Sequence, residues 1–149
     1  MAVDEIEKPA GAWCVSCAKG AGCGIYETRP QSCRTFSCAW LRHPQLPHNL
    51  RPDLTRVVLA FDNNATRLIA SCDPAHPMAW RREPIYGRLK RWAESSWASG
   101  GQVVAMAGPR LWAITPDEPI ELGEMDLGTR FTVVRRLDGG WEAKVQPAA

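Results

Sequence analysis

Five of the six cysteines lie close together near the N-terminus, at Cys14, Cys17, Cys23, Cys33 and Cys38. Thiolates are ligands for zinc, and a C-x-x-C turn lets two of them converge on one ion. The pair Cys14 and Cys17 is separated by fifteen residues from the pair Cys33 and Cys38. This is close to the spacing typical of a four-cysteine zinc site. Spacing alone therefore predicts that these four are ligands and leaves out Cys23.

The same thiolates are also suitable ligands for iron. Four cysteines hold an iron–sulfur cluster in many proteins, and four of these five could do so. Spacing does not separate the two metals. Zinc is the expected cofactor, and iron or an iron–sulfur cluster is the alternative.

The second half of the cluster resembles a known family. Residues 23–38 read CGIYETRPQSCRTFSC, which is similar to the C-x-I-Y-x-x-R-P-x-x-C-R-x-F-x-C motif of the YkgJ-like cysteine-cluster proteins, a zinc- or iron-chelating family. The resemblance implies that Cys23, Cys33 and Cys38 are ligands, together with at least one of Cys14 and Cys17. Many members carry a C-x-x-C-x-x-C-C run in the first half, whereas this chain has the shorter Cys14-x-x-Cys17 and resembles a compact variant.

The residues between the cysteines have expected roles around the ion. Arg29 and Arg34 are predicted to offset the negative charge of four thiolates through N–H to sulfur hydrogen bonds, or else to form ordinary surface ion pairs. Pro30 fixes a turn between ligands. Tyr26 and Phe36 are expected to cover the site with a small apolar layer, which is a structural role.

Other candidate ligands have weaker patterns. Cys72 lies in an alternating strand pattern, where a free cysteine behaves as a small buried hydrophobe. His43 follows Cys38 by five residues, a spacing that a ligand can use, but flanking prolines favour a solvated loop. Trp13 and Trp40 flank the cluster and are predicted to shield the metal or to pack the cysteine segment on the rest of the fold.

Composition bounds the class of protein. The chain has 149 residues, of which 45% are hydrophobic and 23% charged, as in an ordinary globular domain. Its apolar runs are too short to cross a bilayer. The N-terminal segment MAVDEIEKPAG is acidic and has no apolar stretch, so no secretory signal is expected and the predicted location is the cytoplasm. Cytosolic thiols are kept reduced, which favours a metal site over a disulfide framework.

Charge is unevenly distributed along a chain of net charge +2. Residues 81–91 carry five basic side chains and only Glu83 as an acid, whereas residues 117–126 carry five acidic side chains and no base. Both are predicted to be solvated surface. The basic segment also supports a nucleic-acid or ribosome adaptor as an alternative function.

The chain changes character near Pro52. Residues 1–52 are predicted to form a loop-rich cysteine and metal lobe, and residues 53–149 an α+β portion packed with it. Residues 55–62 and 66–72 alternate as two strands joined at Asn63-Asn64, with Val57, Leu59 and Phe61 on one face.

One main helix and two further hairpins are expected after the first. The helix starts at Pro84 and ends before Gly100-Gly101. The hairpins turn at residues 108–109 and 138–140. The predicted fold is α+β, an antiparallel sheet with one main helix and the cysteine lobe packed on it.

The function predicted from these features is that of a small cytoplasmic metal-binding protein. Its cysteine-ligated zinc would serve a structural role or the handling of a metal or a protein partner. The enzyme-class alternative is an iron–sulfur protein in redox or protein-modification chemistry. The sequence contains no P-loop, glycine-rich dinucleotide motif, G-x-S-x-G or H-E-x-x-H pattern.

Overall fold

The computed structural model of the protein describes residues 2–9, 11–62, 65–97, 99–125 and 129–146. Its helices are α1 (Gln31–Thr35), α2 (Ala39–Arg42), α3 (Pro52–Thr55) and α4 (Ile85–Trp97). Its strands are β1 (Cys17–Ala18), β2 (Gly22–Cys23), β3 (Val57–Phe61), β4 (Arg67–Cys72), β5 (Gln102–Ala107), β6 (Arg110–Ile114), β7 (Ile120–Glu124), β8 (Phe131–Arg135) and β9 (Trp141–Val145). Three short 3₁₀ turns lie at Asp4–Ile6, His48–Leu50 and Ala79–Arg81.

The centre of the fold is a five-stranded sheet in the order β3-β4-β5-β6-β7. All neighbouring strands are antiparallel except β4 and β5, which are parallel. The connection between that parallel pair contains α4, since parallel neighbours require a crossover. The strands β1 with β2, and β8 with β9, form two separate antiparallel ribbons.

Alternating side chains divide the sheet into two buried faces. On one face Val103 and Ala105 of β5 pack in a large cluster with Leu89 of α4 and the fully buried Trp80. On the other face Val104 packs in a smaller cluster with Phe131 of β8. The helices therefore cover one face and the β8–β9 ribbon covers the other, because successive residues of a strand point to opposite sides.

The α+β class is confirmed, and so are most of the predicted elements. The strands β3, β4, β5, β6, β8 and β9 and the helix α4 lie where the sequence pattern predicts them. The helix begins at Ile85, one residue after the predicted Pro84. The predicted Asn63-Asn64 turn lies outside the described residues.

Three details differ from the prediction. The sheet is mixed, because β4 and β5 are parallel. Phe61 is 50% exposed, unlike Val57 and Leu59 on the same strand, because it is the last residue of β3 and extends past the packed core. The acidic segment contains an unpredicted strand, β7, whose Ile120 and Leu122 pack against the smaller cluster while Glu121 and Glu124 are exposed.

Among the described residues, the helices are all too short or too polar to cross a lipid bilayer.

Candidate metal centre

The first cysteines lie on a small hairpin. Strands β1 and β2 pair with Cys17 directly opposite Cys23. The turn between them is closed by a hydrogen bond from the Ala21 N–H to the Ala18 carbonyl at 3.1 Å. Gly20 sits in this turn with φ of +79°, a conformation that glycine adopts without steric cost. The tight turn thus places the thiols of Cys17 and Cys23 next to each other. Spacing alone predicted Cys17 as a ligand and left out Cys23.

Cys14 joins the same hairpin through a turn of its own. The backbone N–H of Cys17 donates to the carbonyl of Cys14 at 3.0 Å, which closes the C-x-x-C segment. Cys14 and Cys17 are partly buried, and Cys23 is exposed. We refer to residues 14–24 as the cysteine hairpin. It carries Cys14, Cys17 and Cys23, so the cysteine left out by spacing lies with the first pair.

The cysteine hairpin packs on α3 and on the residue before it. A Cβ atom at Gly22 would lie 3.6 Å from Nη2 of Arg51. That guanidinium donates two hydrogen bonds to the carboxylate of Asp53, at 3.0 and 2.9 Å. Asp53 is only 8% exposed. A buried carboxylate bonded to arginine therefore lies near the cysteine hairpin, on the side of Gly22 and Cys17.

This environment acts on the thiol of Cys17. Burial is the first cause that raises the pKa of Cys17 above its usual value, and the negative charges of Asp53, Cys14 and Cys23 raise it further. The guanidinium of Arg56 acts in the opposite direction. A cation held by these thiolates would relieve the mutual repulsion that keeps the pKa high.

A second set of contacts fixes the hairpin to the sheet. The indole N–H of Trp13 donates to the carbonyl of Cys17 at 2.8 Å. The guanidinium of Arg56 lies over the Trp13 ring, 4.5 Å from its centroid, and donates to Asp73 at 2.8 Å. Asp73 also contacts the ring of His76, at 3.1 Å. Trp13 thus packs the cysteine segment on the fold, one of its two predicted roles.

The remaining two cluster cysteines lie on the following helices. Cys33 is in α1 and is partly buried, and Cys38 precedes α2 and is 2% exposed. Within the described ranges, no three side chains of the His, Cys, Asp and Glu types are grouped closely enough to hold an ion. The structure thus brings three predicted ligands onto one hairpin and holds the other two on a separate segment.

The arginines between the cysteines close a loop around Tyr26. Arg34 donates to the carbonyls of Arg29 and Glu27, at 3.0 and 2.7 Å. Arg29 donates to the Tyr26 carbonyl at 3.2 Å and lies over the Tyr26 ring, 3.7 Å from its centroid. The Tyr26 side chain is 58% exposed. In this arrangement the guanidinium groups hold the backbone between Cys23 and Cys33, and their predicted bonds to sulfur stay a prediction.

The donor chemistry of this segment fits a thiophilic ion. Residues 11–37 contain no fully buried side chain, although every residue in this range is described. The same range holds Cys14, Cys17, Cys23 and Cys33. Segments that cannot build an apolar core are commonly stabilised by metals or cross-links. Four thiols in a coreless segment are the donor set that zinc and iron–sulfur clusters use.

Cys72 is confirmed as a core residue outside the candidate site. It ends β4 and is 7% exposed. Burial raises the pKa of its thiol to about 11, against the opposing effect of the Trp80 backbone N–H. A thiol this buried and this weakly acidic is a poor ligand.

An open groove of about 380 Å³ lies elsewhere on the fold, between α2, the end of β3 and α4. Its lining includes His43, Phe61, Trp92 and Ser96 but none of the cysteines. The ring of His43 meets that of Phe61 edge to face, at 6.2 Å between centroids. His43 thus packs on an aromatic ring at the edge of the sheet.

Sequence reasoning missed the charged residues beneath the hairpin. Asp53, Arg56 and Asp73 are brought together by α3 and by the pairing of β3 with β4. Their contacts with residues near Cys17 span long separations in sequence, and no local pattern predicts such contacts. Pro52 at the first position of α3 is the one available signal, because it predicts a helix start directly before Asp53.

Comparisons with protein-family models, with curated proteins and with solved structures found no match to this chain.

Proposed function

We propose that the protein binds one metal ion, zinc, through thiolates of the cysteine hairpin, and that this ion stabilises residues 11–37. The observation that carries the proposal is the absence of any buried side chain in that fully described range, which also holds four of the five clustered cysteines. Ordering a chain segment costs backbone entropy, and here only partly buried side chains such as Trp13, Ile25 and Phe36 are available to offset it. Zinc binding supplies that free energy directly in small domains.

The proposed ligands follow from the placement of the thiols. Cys14, Cys17 and Cys23 share the hairpin, and zinc in a structural site takes four ligands in a tetrahedron. The resemblance to the YkgJ-like family implies that both Cys33 and Cys38 are ligands, but with three thiols on the hairpin a tetrahedral site has room for only one of them. Either one would link α1 or the start of α2 to the hairpin. Arg29 and Arg34, which hold the loop between Cys23 and Cys33, would then fix the spacing between ligands.

The proposed role is structural, and the proposed location is the cytoplasm. A zinc ion with four thiolates has no open coordination position and no redox chemistry, so it supports folding or partner binding. All six cysteines are free thiols in the structure, as is usual for proteins in a reducing compartment.

Elemental analysis of protein purified without oxygen and without chelator tests the proposal. We expect about one zinc per chain from a four-thiolate site, and a colourless protein. Iron with acid-labile sulfide and visible absorption would replace this proposal with the iron–sulfur alternative. Protein that lacks both metals and is equally stable after chelator treatment would refute both.

A second candidate function is binding to a nucleic-acid backbone, and it rests on the basic residues of the α4 region. In the part of the chain that the structure describes, Arg82, Arg88, Lys90 and Arg91 take part in no ion pair. The one acid among them, Glu83, instead accepts the backbone N–H of Gly87. Among the described residues, these four cations thus have no carboxylate in ion-pair contact.

A salt titration tests this second candidate. Phosphate contacts make the affinity fall steeply with salt, with a slope of about −0.7 per contact for single strands. We expect the double variant Arg88→Glu, Arg91→Glu to reduce both the affinity for a single-stranded RNA and this slope. The matched control is Arg135→Glu, Arg136→Glu at the β8–β9 ribbon. Equal effects of both variants, or no binding by the unmodified protein, would reject it.

A further inference from the structure

The hydrogen bonds of the β1–β2 ribbon show which type of cross-strand pair Cys17 and Cys23 form. The backbone N–H of Gly24 donates to the Ser16 carbonyl at 2.7 Å, so the adjacent 16/24 pair is hydrogen-bonded. Hydrogen-bonded and non-hydrogen-bonded pairs alternate along antiparallel strands. Cys17 and Cys23, which are direct partners, are therefore a non-hydrogen-bonded pair. In such pairs the Cα atoms are about 4.5 Å apart and the side chains project from the same face.

This geometry matches the requirements of a disulfide. Disulfides join Cα atoms about 4.4–6.8 Å apart. Cys23 is exposed and Cys17 is partly buried, so an oxidant in solution reaches the pair from the Cys23 side. We propose that Cys17 and Cys23 form a reversible disulfide, which makes the cysteine hairpin a site of oxidative modification.

The reaction balances with hydrogen peroxide as the oxidant. The Cys23 thiolate attacks a peroxide oxygen, the O–O bond breaks, and a sulfenic acid and water result once the thiol proton is taken up. The Cys17 thiolate then attacks the Cys23 sulfur, the S–S bond forms, and the S–O bond breaks to release a second water. Two thiols and one peroxide give one disulfide and two waters. A dithiol reductant reverses the reaction by exchange.

Cys14 is the competing partner for Cys17. The two are joined by a turn, in which the end Cα atoms lie up to about 7 Å apart. A closed turn is thus also compatible with a disulfide, whereas direct opposition across the ribbon additionally projects the two side chains from the same face. Cys38 and Cys72 are buried and do not compete.

The disulfide does not require a bound metal, so it stands or falls separately from the proposed zinc site. Only the release of zinc on oxidation depends on the proposed zinc site. If the same thiols hold zinc, oxidation removes two ligands and the ion is released. A chromogenic zinc chelator would then report the ion as the disulfide forms.

Peptide mapping identifies the disulfide. The full chain is treated with hydrogen peroxide, free thiols are blocked with N-ethylmaleimide, and the protein is digested with trypsin without reduction. Trypsin cleaves after Lys19 and Arg34 but not before proline, so residues 1–19 carry Cys14 and Cys17, and residues 20–34 carry Cys23 and Cys33. A Cys17–Cys23 disulfide cross-links the two peptides, and dithiothreitol separates them. A Cys14–Cys17 disulfide stays within residues 1–19.

Two variants assign the cross-link without removing the proposed pair. We expect Cys14→Ser and Cys33→Ser each to retain the cross-linked peptides, since neither cysteine takes part in the disulfide. Cys23→Ser should lose them by more than tenfold. A disulfide confined to residues 1–19, loss of the cross-link in Cys14→Ser or Cys33→Ser, or no disulfide at all would overturn the proposal. Zinc content measured before oxidation decides the proposed function independently.

Discussion

The guanidinium of Arg56 donates a hydrogen bond to the carboxylate of Asp73 at 2.8 Å, and the side chain of Asp73 is only 3% exposed. Arg56 follows α3, and Asp73 follows β4. The same guanidinium lies over Trp13, whose indole holds the backbone of Cys17. One ion pair at the end of the β3–β4 hairpin thus supports the Trp13 ring on which the cysteine hairpin packs.

Replacing Asp73 should destabilise the fold. In Asp73→Asn the mostly buried guanidinium of Arg56 loses the carboxylate that neutralises it. We therefore expect the free energy of unfolding at pH 7 to fall by about 2 kcal/mol. Denaturant unfolding measures it. The matched control is Asp138→Asn, which removes the exposed ion pair with Arg136 and should leave stability unchanged. Equal losses in both variants would contradict the role of Asp73.

The stabilisation that Asp73 gives to the fold should depend on pH. Burial acts to raise the pKa of Asp73, but hydrogen bonds from the Ala75 N–H, Arg56 and His76 outweigh it and hold the pKa below its usual 3.8. A depressed pKa stabilises the fold above the unfolded value, and this stabilisation is lost as the pH falls below 3.8. The difference in the free energy of unfolding between the unmodified protein and Asp73→Asn should therefore become smaller only below that pH. A constant difference down to pH 3 would count against the ion pair.

Whereas Asp73 makes the fold less stable at acidic pH, Cys72 should make it less stable at alkaline pH. Its folded pKa of about 11 exceeds the ordinary 9.0, so the folded state keeps a proton that the unfolded state releases. Stability from this group is complete below pH 9 and is lost as the pH rises towards 11. We expect the unmodified protein to lose about 2 kcal/mol relative to Cys72→Ala over that interval. Parallel stability curves for the two proteins would show that Cys72 titrates normally.

Alternating apolar patterns were sufficient to predict most of the sheet. Residues 57–61 and 67–72 carry the alternating pattern, and residues 102–107 and 110–114 are apolar runs on either side of a Gly-Pro turn; all four form strands at those positions. Strand β7 was missed because its glutamates dominate a segment in which Ile120 and Leu122 alone face the core. The parallel pairing of β4 with β5 depends on how α4 crosses the sheet, which no local pattern contains.

The candidate site was predictable in its residue types and less so in its arrangement. The clustering of thiols identifies the segment. The placement of Cys23 opposite Cys17 follows from the three-residue turn 19–21, which contains Gly20, and from the pairing of Ala18 with Gly22. The charged residues beneath the hairpin come from distant parts of the chain and meet only when the sheet forms.

Metal content should respond to the hairpin thiols. Cys14→Ser, Cys17→Ser and Cys23→Ser should each lower zinc per chain, because each removes one of the three proposed ligands on the hairpin. Cys72→Ala should keep the full content, since that thiol lies in the core. Elemental analysis of each variant measures this.

The comparison of Cys33→Ser with Cys38→Ser identifies the fourth ligand. The variant that loses zinc marks the ligand, and the other should be affected only through packing. Full zinc content in Cys23→Ser together with its loss in Cys14→Ser would instead support the ligand set based on spacing alone.

Trp13 should limit local opening of the cysteine hairpin. Trp13→Phe keeps a ring beneath Arg56 but removes the N–H that donates to Cys17, a bond worth about 1 kcal/mol. We expect trypsin to cleave after Lys19 about fivefold faster in metal-stripped Trp13→Phe than in the metal-stripped unmodified protein. Trp40→Phe, which removes the bond to Pro47, is the matched control and should leave that rate unchanged. An unchanged rate in Trp13→Phe would show that the indole does not hold the hairpin.

Hydrogen exchange of the cysteine hairpin tests the central claim most directly. Amide exchange is followed by mass spectrometry in peptides covering residues 13–26, with zinc bound and after its removal by chelator, with β4–β6 as the internal reference. Because residues 11–37 have no buried side chain, we predict that the hairpin amides lose their protection when zinc is removed while the sheet keeps its own. Equal protection of the hairpin in the two states would contradict the claim that a metal holds this segment.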